Sequence, residues 1–162
     1  MTKPIFTGVC TALVTPFLEN RLNTPMLRQL IRRQELAGVD ALVICGTTGE
    51  SAALTDAEKL ELFRVSREAI PEGLPFIAGT GSNNTSHAVA LSQAAQELGA
   101  DALLVVSPYY NKATEDGLYR HYRHIAQAVS IPVILYNVPS RTGLDIPVSV
   151  YKKLAEIPNI VG

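Results

Sequence analysis

The sequence predicts an α/β fold in which short, buried, parallel strands alternate with amphipathic helices. Three observations lead there. Apolar runs too short for helices recur along the chain, and each is mostly apolar on both faces. Their centres lie about 30 residues apart, roughly the size of one strand–helix unit.

The runs occupy residues 8–14 (GVCTALV), 41–45 (ALVIC), 75–78 (PFIA), 102–106 (ALLVV) and 131–136 (IPVILY). A sixth run begins at 159–161 (NIV). The intervening segments carry helix signals. Thr24 followed by Pro25 reads as an N-cap and first-turn pair, and Gly38 suits the C′ position. Residues 55–58 (TDAE) form a capping box, with Thr55 capping and Glu58 reaching back. Ala88, Leu91, Ala95 and Leu98 make one apolar stripe, closed by Gly99, and Leu118, Tyr122, Ile125 and Val129 make another. Pro147 opens a fifth helix that runs through Leu154. No linker or low-complexity stretch divides the chain, so residues 1–162 read as part of one domain. Two architectures share this alternation: a doubly wound open sheet and a barrel of eight strand–helix units. In both, ligand chemistry gathers at the carboxyl ends of the strands.

Composition excludes several classes. With 47% hydrophobic and 18% charged residues, the chain is not disordered. Fourteen Lys+Arg against fifteen Asp+Glu, with no basic stripe, argue against nucleic acid as a partner. There is no run of 18 apolar residues, and the opening MTKPIFTGVC lacks the apolar centre of a signal peptide. A cytoplasmic protein without a membrane partner is the expectation. Cys10 and Cys45 cannot form a disulfide framework and are expected as small core residues. His121 and His124, three apart on one helix, lack a third ligand, and with His87 they are expected on solvated helix faces; no metal is expected.

The residues following each strand carry the chemistry. After the second comes GTTGES (46–51), where two glycines permit a tight turn and Thr47 and Thr48 add hydroxyl donors for a carboxylate or reacting oxygen. It fits neither a Walker loop nor a nucleophile elbow. After the third comes GTGSNN (79–84), whose GxG stands outside the first strand–helix connection where a dinucleotide fingerprint belongs. After the fourth comes SPYYNK (107–112), with paired phenols suited to stacking, proton donation or a subunit contact. After the fifth comes YNVPSRTG (136–143), where the Tyr136 phenol can handle protons and Arg141 can clamp a carboxylate.

GTTGES, SPYYN and YNVPSRTG in this order resemble the dihydrodipicolinate synthase family, within the pyruvate-dependent class I aldolases that include N-acetylneuraminate lyase. The resemblance covers residues 6–162. It implies a (β/α)₈ TIM barrel followed by a helical C-terminal region, and a homotetramer. This chain would supply about five strand–helix units and the start of the sixth strand. The implied reaction joins pyruvate, held as a lysine Schiff base, to L-aspartate semialdehyde in lysine biosynthesis, with no cofactor. By the same resemblance, Tyr136 exchanges protons near the imine, and Thr47 links it to Tyr110, which reaches in from a neighbouring subunit. Thr48 would bind the pyruvate carboxylate, and Arg141 the carboxylate of the semialdehyde. N-acetylneuraminate lyase or a 2-keto-3-deoxy-sugar-acid aldolase is the alternative within the superfamily. Arg141 favours the small anionic aldehyde.

Two departures stand out. Inhibitory lysine in the family binds near the positions of Ala52, Asp56, Lys59, Asn83, His87 and Tyr109. Where the family typically carries Glu and His, this sequence has His87 and Lys59, so weak or absent lysine inhibition is expected. The Schiff-base lysine of the family falls on the sixth strand, two positions beyond Gly162. Lys112, Lys152 and Lys153 read as ordinary solvated lysines. The expectation is therefore an N-terminal portion of a longer enzyme, inactive alone, with open sheet edges prone to pair or aggregate.

Overall fold

The computed structural model describes residues 4–162. Strand β1 (Cys10–Ala12) is followed by a small antiparallel hairpin, β2 (Phe17–Leu18) and β3 (Arg21–Leu22). Helices and strands then alternate: α1 (Thr24–Leu36), β4 (Ala41–Ile44), α2 (Asp56–Ala69), β5 (Phe76–Gly79), α3 (Thr85–Glu97), β6 (Ala102–Val106), α4 (Glu115–Gln127), β7 (Val133–Tyr136), the single-turn α5 (Pro139–Thr142) and α6 (Val148–Leu154).

The parallel sheet has the order β1-β4-β5-β6-β7, each strand adding beside its predecessor. A doubly wound sheet reverses direction at a switch point, and this one does not. The winding is that of a barrel, and the alternative left open by the sequence is settled. Beyond β7, the Val133 N–H donates to the Asn159 carbonyl at 2.7 Å and the Leu135 N–H to the Gly162 carbonyl at 2.7 Å. The sixth apolar run therefore docks in strand register, with a parallel bridge between Val133 and Ile160.

Successive strand residues face opposite sides. One set, including Leu42, Phe76, Leu103 and Val133, packs under the helices with Leu27, Phe63, Tyr122 and Ile125. Burying each such side chain contributes about 1.5–3 kcal/mol. The other set, Ala41, Val43, Ile77 and Ala102, forms a separate smaller cluster on the inner face.

The capping box stands as expected: Thr55 Oγ1 accepts from the Glu58 N–H at 3.3 Å, and Glu58 Oε2 accepts from the Thr55 N–H at 2.7 Å. At α1 the cap is Asn23 rather than Thr24. Asn23 Oδ1 accepts from the Met26 N–H at 3.1 Å, and Thr24 is the first helical residue. Asparagine is the stronger N-cap of the two. The hairpin was not legible because its strands are two residues each; its turn residues, Glu19 and Asn20, both have positive φ, as a two-residue hairpin turn requires.

Two burial expectations need correction. Cys45 is buried, but Cys10 is only half-buried, because β1 is an edge strand. His121 is not solvated. It is buried on α4, with Nδ1 2.9 Å from the Thr85 hydroxyl. Burial, reinforced by the charge of His124, brings its pKa down to about 4. His124 is exposed as expected. Among the described residues no helix is long and apolar enough to cross a membrane.

Candidate functional site

The carboxyl ends of the strands open into a pocket of about 730 Å³. Its floor is set by a tight backbone fit. After β4 the chain turns through Cys45, a non-glycine residue at φ 58°. A Cβ on Gly79, the last residue of β5, would overlap the Cys45 carbonyl oxygen, so the turn requires glycine opposite it. A backbone held this way costs about 1–3 kcal/mol and is retained where surrounding structure determines it. The Cys45 thiol is pushed up to about 12 by burial, against the opposing pull of the Lys59 ammonium. It stays protonated, which removes it as a nucleophile.

The turn delivers Gly46 and Thr47. The Gly49 N–H donates to the Gly46 carbonyl at 3.1 Å, and the Thr15 hydroxyl donates to the Gly49 carbonyl at 2.7 Å, tying the loop to the end of β1. Thr47 Oγ1 donates to the Tyr136 phenol oxygen at 3.2 Å. Tyr136 is the last residue of β7, paired with Val106 on β6. Arg141 reaches the same pocket from α5. Its guanidinium has no hydrogen-bond or ion-pair partner among the described residues.

Three of the five residues singled out in the sequence thus line one pocket: Thr47, Tyr136 and Arg141. Thr48 is exposed beside it and outside its lining. Tyr110 is 90% exposed, at φ 71°, and lies outside the pocket lining, while its neighbour Tyr109 belongs to it. Asn111 Nδ2 donates to the Asn83 carbonyl at 2.8 Å, holding the tyrosine loop against the loop after β5.

The other end of the pocket holds a polar cluster. His87, expected on a solvated face, instead places Nε2 2.9 Å from both carboxylate oxygens of Asp56 and Nδ1 3.1 Å from the Ser82 hydroxyl. The reason is its place in the first turn of α3, whose N-terminus lies against that of α2. Lys59 is 8% exposed, and its ammonium stands 3.9 Å from Asp56, beyond hydrogen-bond distance. Sequence reasoning passed over Lys59 as a pocket lysine. The signal was its spacing from Leu62, Phe63 and Ser66, which puts it on the buried face of α2. Lys112, Lys152 and Lys153 are exposed, as expected.

Comparison with known proteins agrees with this geometry. Residues 5–162 match the Dihydrodipicolinate synthetase family. A 4-hydroxy-tetrahydrodipicolinate synthase of Acetivibrio thermocellus is 53% identical over 161 residues, covering 99% of this chain and 55% of the relative. The chloride-inhibited dihydrodipicolinate synthase of Acinetobacter baumannii, complexed with pyruvate, superposes with a TM-score of 0.93 at 46% identity, over 96% of this chain and 54% of that one. The enzyme of Cyanidioschyzon merolae with lysine bound superposes with a TM-score of 0.95 at 43% identity, over 98% and 55%. The chain spans about half the length of the curated relatives it matches. Its five parallel strands and their helices form about half of such a (β/α)₈ barrel, and the chain belongs to the dihydrodipicolinate synthetase family.

Proposed function

We propose that this chain is the N-terminal part, residues 1–162, of a single-barrel enzyme that condenses pyruvate with L-aspartate semialdehyde to give 4-hydroxy-tetrahydrodipicolinate, a step of lysine biosynthesis in the cytoplasm. The observation that carries the reading is the convergence on one pocket of the hydrogen-bonded Thr47–Tyr136 pair and Arg141, which has no partner among the described residues.

The chemistry proceeds without a cofactor. A lysine amine from the rest of the barrel adds to the pyruvate carbonyl, and water leaves as the imine forms. Loss of a methyl proton gives the enamine, whose carbon attacks the aldehyde. The adduct then cyclises and frees the lysine. Tyr136 is suited to the proton transfers, because Thr47 donates to its oxygen and leaves the phenolic hydrogen free to point into the pocket. Thr48 offers a hydroxyl and an N–H to the pyruvate carboxylate. Arg141 offers the second carboxylate a charged, two-pronged donor, which discriminates the semialdehyde from a neutral sugar aldehyde. Tyr110, exposed in the single chain, extends the Thr47 hydrogen bonds in a neighbouring subunit of a homotetramer.

Lysine inhibition of the assembled enzyme is weak or absent. Asp56, the carboxylate of the outer cluster, already faces His87 and Lys59, so an incoming ammonium meets two groups able to carry its own charge. The overall reading is tested by supplying the full-length protein with pyruvate and either L-aspartate semialdehyde or a sugar-derived aldehyde. Turnover restricted to the semialdehyde supports it; turnover restricted to the sugar aldehyde assigns the chain to a sugar-acid aldolase.

A further inference from the structure

The loop that presents Arg141 is closed on itself by side chains. Asn137 Nδ2 donates to Asp145 Oδ1 at 2.6 Å, and Asn137 Oδ1 accepts from the Ile146 N–H at 3.3 Å. One side chain thereby joins the two ends of the loop. Within it Thr142 is buried; its hydroxyl donates to the Leu144 carbonyl at 2.9 Å and accepts from the Leu144 N–H at 3.3 Å. Gly143, at φ 68°, ends α5 and reverses the chain.

Asp145 is the only acidic residue between Asn137 and Ala155. It lies four positions from Arg141, close enough in sequence for a long guanidinium side chain to pair with it. That pairing is not made. The Asp145 carboxylate instead receives the Asn137 amide, and Arg141 is left without a partner among the described residues. The bond to the Ile146 N–H requires an acceptor on residue 137, and the bond to Asp145 requires a donor. Asparagine supplies both at this length, whereas aspartate supplies only acceptors.

We infer that Asn137 is a positioning residue that sets specificity for the anionic second substrate: by engaging Asp145 and closing the loop, it keeps the Arg141 guanidinium free to receive a carboxylate. The inference rests on the function proposed above and deepens it. Asn137 touches no reacting atom; it acts through Asp145 and Arg141.

The test compares full-length wild-type protein with Asn137→Asp and with the swap Asn137→Asp/Asp145→Asn. The single change sets two carboxylates against each other and releases one toward Arg141. The swap restores a donor opposite an acceptor while residue 137 still accepts from Ile146. Asn137→Asp should raise the KM for the semialdehyde about tenfold, the scale of one charge-assisted hydrogen bond. The KM for pyruvate and the yield of borohydride-trapped pyruvate imine should stay unchanged. The swap should return the semialdehyde KM to within about twofold of wild type. A merely structural role would move both substrates together. An unchanged semialdehyde KM in Asn137→Asp, a parallel loss of imine, or no recovery in the swap overturns the inference.

A second readout does not depend on the reaction: the rate at which phenylglyoxal modifies Arg141, followed by peptide mass. It should fall in Asn137→Asp and recover in the swap, and equal rates in all three proteins overturn the inference. Wild-type protein that traps no pyruvate contradicts the proposed function instead, and the phenylglyoxal rates then decide this inference alone.

Discussion

Thr47 and Tyr136 are 89 positions apart in the chain, yet the threonine hydroxyl donates to the phenol at 3.2 Å. Thr47 follows the turn at Cys45 after β4, and Tyr136 closes β7. Two intervening strands separate them in the sheet, so the inward curvature of the barrel winding brings them together.

If this pair handles the proton, Tyr136→Phe should lower kcat by about 10²-fold or more in the full-length enzyme, the usual contribution of a positioned acid–base group. Thr47→Val, nearly isosteric, should lower kcat with little change in the KM for pyruvate. Steady-state kinetics checks both; a Thr47→Val protein with wild-type kcat would remove the hydroxyl from the mechanism.

Removal of the Arg141 charge should act on one substrate only. Arg141→Ala is expected to raise the semialdehyde KM by about tenfold to a hundredfold while pyruvate binding is retained, the range for a hydrogen-bonded charge. Arg141→Lys should recover part of this loss, since lysine keeps the charge and loses the two-pronged geometry. Equal effects on both substrates would place Arg141 outside the semialdehyde subsite.

The outer cluster leads to a regulatory expectation. Lysine at millimolar concentration should change the rate of the full-length enzyme by less than about twofold. Replacing the two cation-forming groups together, His87→Glu with Lys59→His, should make the enzyme more sensitive. Strong inhibition of the unaltered enzyme, followed as initial rate against lysine concentration, would contradict the reading of this cluster.

Burial of His121 on α4 links stability to pH. Its pKa is about 4 in the folded protein against 6.5 when solvated, so between these values the unfolded chain binds more protons. The stability it confers is complete above about pH 6.5 and is lost as pH falls toward 4. The loss is on the order of 3 kcal/mol. Denaturant unfolding at pH 7 and pH 5 should show a shallower pH dependence for His121→Gln than for the wild type. Equal slopes would mean that His121 titrates normally in the fold.

Much of this was legible in the sequence, for identifiable reasons. Strands β4, β5, β6 and β7 are apolar on both faces, so they stand out as short runs bounded by turn residues; β1 lies inside the run at 8–14, and the Thr55–Glu58 box marked the start of α2. Thr47, Tyr136 and Arg141 were singled out because strand ends are where ligand chemistry gathers, and all three line one pocket. The burial of Lys59 and the partners of His87 were missed. The place of Lys59 on the buried face of α2 was readable from its spacing, whereas the contacts of His87 depend on two helix N-termini meeting across separate strand–helix units, which one sequence does not display. The Asn137–Asp145 bond was missed for a related reason: it closes a loop whose path is set by α5, a single turn too short to leave a periodic pattern.

The most direct measurement is borohydride reduction of the full-length protein in the presence of pyruvate, followed by peptide mass mapping. The proposed chemistry predicts one pyruvate-derived adduct, on a lysine outside residues 1–162, and its formation in Thr47→Val protein as well. No adduct, or an adduct on Lys59, Lys112, Lys152 or Lys153, would contradict it.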